Sequence, residues 1–158
     1  MEPENPEWQA ALGESYSLSG DLVSALNSYQ KATSLAPQNA TYWRLLAMFC
    51  ADSGVQVLEV GLPAARQAAT LAPDDPHALD ALGWSFAQAG LLHSAEQTLT
   101  KATKLAPELP LPHLHLAETY LREANPTSAY EELNLVRQLD KEGPEGQFAL
   151  QLLNQYFP

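Results

Sequence analysis

The stretch "ATSLAPQ" at residues 32–38 decides the fold, because nearly the same seven residues return twice along the chain. The later copies are "AATLAPD" at 68–74 and "ATKLAPE" at 102–108, so successive copies begin 36 and then 34 residues apart. A fixed period in this range is typical of repeat proteins, in which each unit packs on its neighbours. The sequence therefore predicts a repeat array.

Each copy of this phrase predicts the end of one helix and the start of another. Pro37 cannot donate the next helical hydrogen bond, and Asn39 offers a side chain suited to capping the helix that follows. Asp75–Pro76 repeats this arrangement, with proline at the first helical position. Turn signals at Gly20–Asp21 and Gly90 divide each unit in two, and no segment alternates long enough to predict a strand. The predicted unit is a helical hairpin.

These units resemble the tetratricopeptide repeat (TPR), whose pattern is W-x₂-L-G-x₂-Y, then A-x₃-F, then Ala and Pro. The first unit supplies Leu12, Gly13, Tyr16, Gly20, Ala25, Tyr29, Ala32 and Pro37. The third supplies Leu82, Gly83, Phe86, Gly90, Ala95, Leu99, Ala102 and Pro107. The second unit departs from the pattern, because it carries two extra residues around "GVQVLEVGLP", where Pro63 is expected to start a shortened or displaced second helix. The fourth has Lys141 where proline is usual.

The fold class that we predict is all-α, a right-handed superhelical solenoid of four TPR-like hairpins plus a C-terminal closing helix. It forms a single TPR domain over residues 1–158, with repeats at 6–39, 40–75, 76–109 and 110–143 and the closing helix at 144–158. Helices are expected to begin near Pro6, Ala40, Pro76 and Pro110. The most irregular connection is expected between Ser53 and Pro63, where the extra residues lie.

Composition narrows the choice of partners. Eight Lys and Arg residues against 19 Asp and Glu give a net charge of −11, a field that repels nucleic acid and anionic lipid and favours basic partners. One cysteine, Cys50, excludes an intrachain disulfide. The chain as written has neither an apolar run of membrane length nor a signal peptide, so we expect a soluble, cytoplasmic protein with no membrane insertion.

Residues able to carry catalysis do not form a recognisable constellation. The four histidines are His77, His93, His113 and His115, and they include no HExxH motif. Ser85 in "GWSFA" lacks the final glycine of a nucleophile elbow, and Cys50 falls in a core column of its helix. The sequence also has no glycine-rich phosphate loop. The prediction is a protein without enzymatic activity, cofactor or metal.

Binding is the better-supported class of function. The TPR resemblance implies that the first helices of successive repeats line a concave groove, where a protein or peptide partner binds. Rotation from the core positions by roughly 100° per residue identifies the groove face of each helix. The predicted partner-binding residues on that face are Glu14, Arg44, Met48, His77, Asp80, Trp84, Gln88, Leu111, Leu114, Glu118, Leu121 and Arg122.

Trp84 is the predicted anchor of this groove, because a large aromatic stands where a solvated polar residue would suffice, and tryptophan is enriched at interface hot spots. We expect it to be largely exposed. Glu14, Asp80 and Glu118 favour a basic residue in the ligand, with an apolar anchor beside it. The alternative is that the closing helix or inter-repeat packing covers Trp84 and the apolar strip of Leu111, Leu114 and Leu121.

Two further alternatives concern the class of TPR protein. Chaperone carboxylate clamps use Lys, Asn and Arg at positions that are here Ala10, Glu14, Leu45, His77 and Ala81, so a generic TPR array is predicted instead. The second alternative is a structural or dimerisation module excised from a larger protein. Trp8 at one end, and the wide apolar arc of residues 148–157 at the other, are compatible with homodimerisation through the terminal helices.

Overall fold

The computed structural model describes residues 4–158, which form nine α-helices, a single π-helix and no strand. The π-helix, Val57–Gly61, lies between α3 and α4. The α-helices are α1 Pro6–Ser19, α2 Leu22–Leu35, α3 Ala40–Ser53, α4 Leu62–Leu71, α5 Pro76–Gln88, α6 Leu92–Leu105, α7 Pro110–Arg122, α8 Pro126–Leu139 and α9 Pro144–Tyr156. The predicted helix starts at Pro6, Ala40, Pro76 and Pro110 are confirmed.

Side-chain caps explain several of these starts. The Asn5 side chain accepts hydrogen bonds from the first backbone N–H groups of α1, and Asn39 and Asp75 do the same for α3 and α5. Such bonds satisfy donors that have no partner inside the helix. At the other end of α1, Gly20 adopts a left-handed φ of 82°, which glycine accepts without steric cost. The chain therefore reverses sharply into α2.

The helices pack as a solenoid of antiparallel hairpins. The pairs α1–α2, α3–α4, α5–α6 and α7–α8 are in contact. Each of the first three hairpins also packs on the first helix of the hairpin that follows it. Close approach needs glycine at a crossing: a Cβ on Gly83 would lie 2.5 Å from Cγ of Leu99. Because Leu99 is fully buried, a larger residue at position 83 has no space. The predicted all-α fold class is confirmed.

The second hairpin is irregular, as the sequence predicts. After α3 ends at Ser53, Gln56 adopts a positive φ of 46°, and the π-helix begins at the next residue. The Gly61 N–H donates to the Gln56 carbonyl at 3.0 Å, the five-residue spacing of a π-helix. Then α4 begins at Leu62, so Pro63 stands in its first turn and α4 is shorter than its counterparts. The extra residues are therefore absorbed before α4.

The C-terminal helix α9 packs on α7 and α8. Its Ala149, Leu152 and Leu153 join a buried cluster with Leu114 and Leu133. This contact covers apolar surface of the α7–α8 hairpin. Within residues 4–158, no helix is long and apolar enough to cross a membrane.

Candidate functional site

The first helices α1, α3, α5 and α7, followed by α9, lie side by side and form one face of the solenoid, which corresponds to the predicted groove and is called the concave face here. The predicted groove residues all lie on these helices, yet their accessibility differs widely. Glu14, His77 and Arg122 are exposed, and six more are half-buried: Arg44, Met48, Gln88, Leu111, Glu118 and Leu121. Asp80, Trp84 and Leu114 are buried. The concave face thus has an open part and a closed part.

Trp84 belongs to the closed part, and the prediction of an exposed anchor is wrong. The side chain is 6% exposed. Its Nε1–H donates to Oδ1 of Asp52 at 2.8 Å, and its ring stacks on His115 with centroids 4.3 Å apart. Neighbouring helices on both sides supply these contacts, because α3 carries Asp52 and α7 carries His115. Helical rotation within α5 alone does not include these contacts from the neighbouring helices, which cover the indole.

Asp80, also predicted to face a ligand, instead pairs with His115. Nδ1 of His115 lies 2.8 Å from Oδ1 of Asp80, and the two side chains are only 5% and 4% exposed. Burial by itself lowers the pKa of His115, but the charge and hydrogen bond of Asp80, helped by Asp52 and Glu118, outweigh it and raise that pKa. Sequence reasoning missed this pair, because its residues stand 35 positions apart on successive first helices.

Arg122 closes the other side of this cluster. Its guanidinium carbon lies 5.1 Å from the centroid of the Trp84 ring, and Nη1 donates to the Ala87 carbonyl at 3.0 Å. That carbonyl belongs to the last turn of α5, where a cation is favoured by the helix dipole. Nearby, desolvation raises the pKa of Glu118, although the charges of His115 and Arg122 oppose this shift. Arg122 therefore braces the closed part and remains exposed at its rim.

The apolar strip of α7 is only partly available. Leu114 is 5% exposed beneath α9, and Leu111 packs on the same buried cluster. The closing helix therefore covers Leu114, as the alternative prediction states. Leu121 stays half-buried and lines a small pocket of about 220 Å³ with Tyr156 of α9.

The open part of the concave face contains a pocket between α1 and α3. Its volume is about 380 Å³, and its lining is largely apolar: Ser17, Leu22, Tyr29, Leu45, Met48, Phe49, Asp52 and Ser53. Met48 was predicted to face the groove, whereas Asp52, one turn further along α3, was not singled out. Asp52 is exposed, and desolvation by the surrounding helices raises its pKa, although the Trp84 hydrogen bond lowers it. Extending the groove pattern by one turn of α3 would have found this carboxylate.

Comparison with known proteins identifies the repeat. The family model named Tetratricopeptide repeat matches residues 9–39, which span most of α1 and all of α2. The chain contains a tetratricopeptide repeat and has the TPR fold. No significant match was found among curated protein sequences.

Solved TPR structures resemble the whole solenoid. TTC0263, a thermophilic TPR protein of Thermus thermophilus, superimposes with a TM-score of 0.82 at 20% identity, covering 96% of this chain and 83% of that one. YrrB, described as a TPR protein with an unusual peptide-binding site, gives 0.71 at 19% identity, with 97% and 76% covered. MamA of Desulfovibrio magneticus RS-1 gives 0.69 at 23% identity, with 89% and 78% covered. At these identities the likeness establishes the fold.

Both ends of the TPR solenoid expose aromatic side chains. Trp8 is 46% exposed and lines a pocket of about 370 Å³ on the outer face of α1. On α9, Phe148 is 39% and Tyr156 is 51% exposed. Phe157 packs instead on the last buried cluster and edge-on against the Tyr130 ring. These ends are the surfaces on which the homodimer alternative depends.

Two of the side chains considered above for catalysis, Cys50 and Ser85, lie in the interior. Cys50 is fully buried, and burial raises the pKa of its thiol to about 11, so the reactive thiolate is disfavoured. Ser85 is fully buried in the middle of α5. In the part of the chain that the structure describes, no three His, Cys, Asp or Glu side chains are grouped for metal binding.

Proposed function

We propose that the chain is a single TPR domain without enzymatic activity, built from repeats 6–39, 40–75, 76–109 and 110–143 and the closing segment 144–158, and that it acts as a protein–protein interaction scaffold. Its concave face binds a peptide or a segment of a partner. The observation that carries this proposal is the pocket of about 380 Å³ between α1 and α3, which has apolar walls and a carboxylate at its edge. The likeness to YrrB adds a precedent for peptide binding on this fold.

The chemistry of this pocket suggests what the ligand presents. Met48 and Leu45 offer apolar contact for one side chain, whereas Asp52 offers a carboxylate for a neighbouring Lys or Arg. Glu14, exposed on α1, adds negative charge to the same part of the face. A net charge of −11 further favours the approach of a basic segment. Arg44 remains available for an acidic group on the ligand.

In this proposal, Trp84 positions a residue of the site and is not itself the main ligand contact. Its indole N–H holds Oδ1 of Asp52, so the carboxylate is oriented while its second oxygen stays free to accept a hydrogen bond. The His115 ring stacks on the indole and the Arg122 guanidinium lies over it, so both restrict the movement of the indole. The ligand-contacting set is therefore centred on α1 and α3 rather than on Trp84.

The test begins with affinity capture of partners by the whole chain, followed by calorimetric titration of the identified segment. Met48→Lys places a charge in the apolar pocket, and we expect it to weaken binding about tenfold or more. Glu131→Lys is the matched control, because Glu131 is exposed on α8 away from the pocket. Equal affinity for wild type and Met48→Lys would refute the pocket as the binding site.

A second candidate function is homodimerisation through the terminal helices. The observation favouring it is Trp8, whose indole is 46% exposed beside a pocket of about 370 Å³. Exposed apolar surface of this kind often marks an interface. Sedimentation velocity should then detect a dimer that Trp8→Ser or Phe148→Glu weakens. A monomer at high concentration would exclude this function.

A further inference from the structure

A second cleft lies on the other side of the solenoid, among the second helices, and we call it the α2–α4 cleft. It has a volume of about 790 Å³, within the range of ligand-binding pockets. Both α2 and α4 pack on α3 but not on each other, so α3 separates the two walls. Trp43 and Leu46 of α3 line the cleft between these walls. This cleft is separate from the groove proposed above.

The irregular segment of the second repeat builds one wall of this cleft. Glu59 and Val60 of the π-helix and Pro63 at the start of α4 all line it. Residue Gln56, just before the π-helix, holds a left-handed φ of 46°, a conformation that costs free energy in a residue other than glycine. π-Helical insertions and such strained residues occur frequently at functional sites. The irregular segment of the second repeat therefore lies at the cleft.

Three polar side chains in the cleft have no hydrogen-bond or ion-pair partner within the described residues. The side-chain amides of Gln30 on α2 and Gln67 on α4 are half-buried and make no hydrogen bond there. Each amide offers both donors and an acceptor, which match the alternating C=O and N–H groups of an extended peptide backbone. Glu59 is exposed and likewise makes no ion pair. It is the one charged side chain among the residues that line the cleft.

We propose that the α2–α4 cleft binds a short extended peptide segment that carries a Lys or Arg next to an apolar residue. The cationic side chain pairs with Glu59, and the apolar side chain packs on Trp43 and Val60. Gln30 and Gln67 hold the peptide backbone from the two walls. The proposal stands independently of the concave groove, since the two sites share no lining residue.

The test is an NMR titration of the whole ¹⁵N-labelled chain with a capped hexapeptide that contains two leucines and two lysines in a serine background. We expect saturable shifts of the Trp43 indole N–H and of the Gln30 and Gln67 side-chain amides. The matched peptide with glutamates in place of lysines should bind about tenfold more weakly or worse. Glu59→Lys should reduce affinity for the lysine peptide to a similar extent.

Controls separate this site from the concave groove. Met48→Lys changes a residue of the concave pocket that does not line the α2–α4 cleft, so it should leave these shifts unchanged, whereas Gln67→Ala should weaken peptide binding about threefold. Glu59→Gln removes the charge with little change of shape and should fall between wild type and Glu59→Lys. The proposal is overturned if the shifts are confined to Met48, Asp52 and the Trp84 indole, or if no saturable shift occurs at millimolar peptide. Unchanged affinity in Glu59→Lys would overturn it equally.

Discussion

The two parts of the concave face show how one repeat position serves different purposes. Met48 on α3 and Trp84 on α5 occupy equivalent places in successive units, but Met48 is half-buried beside a pocket and Trp84 is 6% exposed. The difference comes from the following helix: α7 contributes His115, whose ring covers the indole. A repeat pattern therefore identifies a face, whereas accessibility on that face depends on the next repeat.

The two parts also use charge differently. In the closed part, Asp80 and His115 form a buried pair that has little access to solvent. In the open part, Asp52 is an exposed residue that lines the pocket, and its carboxylate accepts the Trp84 hydrogen bond. A buried pair stabilises or specifies packing, but an exposed carboxylate is available to a partner. The comparison predicts that mutations in the closed part damage folding and that mutations in the open part damage binding.

The largest expected effect is that of Trp84→Ala. This change removes a buried aromatic, its stacking on His115 and its bond to Asp52, so we expect a loss of about 4 kcal/mol in the free energy of unfolding. Met48→Ala is the control at the equivalent position, and it should cost about 1 kcal/mol, because Met48 is already partly solvated. Urea denaturation of the two variants measures both values. Equal, small losses would mean that the closed part is open in solution.

The next effect concerns the buried pair. His115→Gln removes the imidazole that pairs with the buried Asp80 carboxyl, so we expect a loss of about 3 kcal/mol in the free energy of unfolding. Adding Asp80→Asn should restore part of that loss, because the uncompensated charge is then gone. His93→Gln provides a control, since the His93 side chain is 79% exposed. A double variant no more stable than His115→Gln would contradict the role assigned to the pair.

A smaller effect should be visible as pH dependence. The pKa of His115 is raised in the folded state, so its contribution to stability is complete below the ordinary value of about 6.5 and is lost as pH rises through the folded pKa. Stability should therefore decline across the window that begins near pH 6.5 and extends to the folded pKa. Urea midpoints measured at a series of pH values test this. In His115→Gln the decline over the same window should disappear.

Much of this architecture could be predicted from sequence. Three predictions rest on local rules and are confirmed: the helix ends at the recurring seven-residue stretch, the helix cap at Asn39 and the irregular connection before Pro63. The candidate site was less predictable, because the burial of Trp84 and Asp80 depends on His115 in another repeat. The π-helix also packs tightly on α3, because a Cβ on Gly61 would lie 2.7 Å from Cβ of Cys50. Such contacts leave no periodic trace in the sequence.

The smallest expected change in stability belongs to Asp52→Asn, at the boundary between the two parts. Asparagine keeps the oxygen that accepts the Trp84 N–H, and the raised pKa of Asp52 indicates that the folded chain does not favour the charge there. The free energy of unfolding should therefore change by less than about 0.5 kcal/mol. Denaturation gives this value, and titration with the concave-groove ligand gives the affinity.

Asp52→Ala is the matched variant, because it removes the hydrogen-bond acceptor together with the charge. It should cost about 1 kcal/mol, as the Trp84 indole loses its partner. Both variants should weaken a basic ligand of the concave groove by a similar factor, since both lack the carboxylate. If Asp52→Asn binds that ligand as wild type does, the carboxylate serves only to position Trp84, and Asp52 then belongs to the closed part of the face.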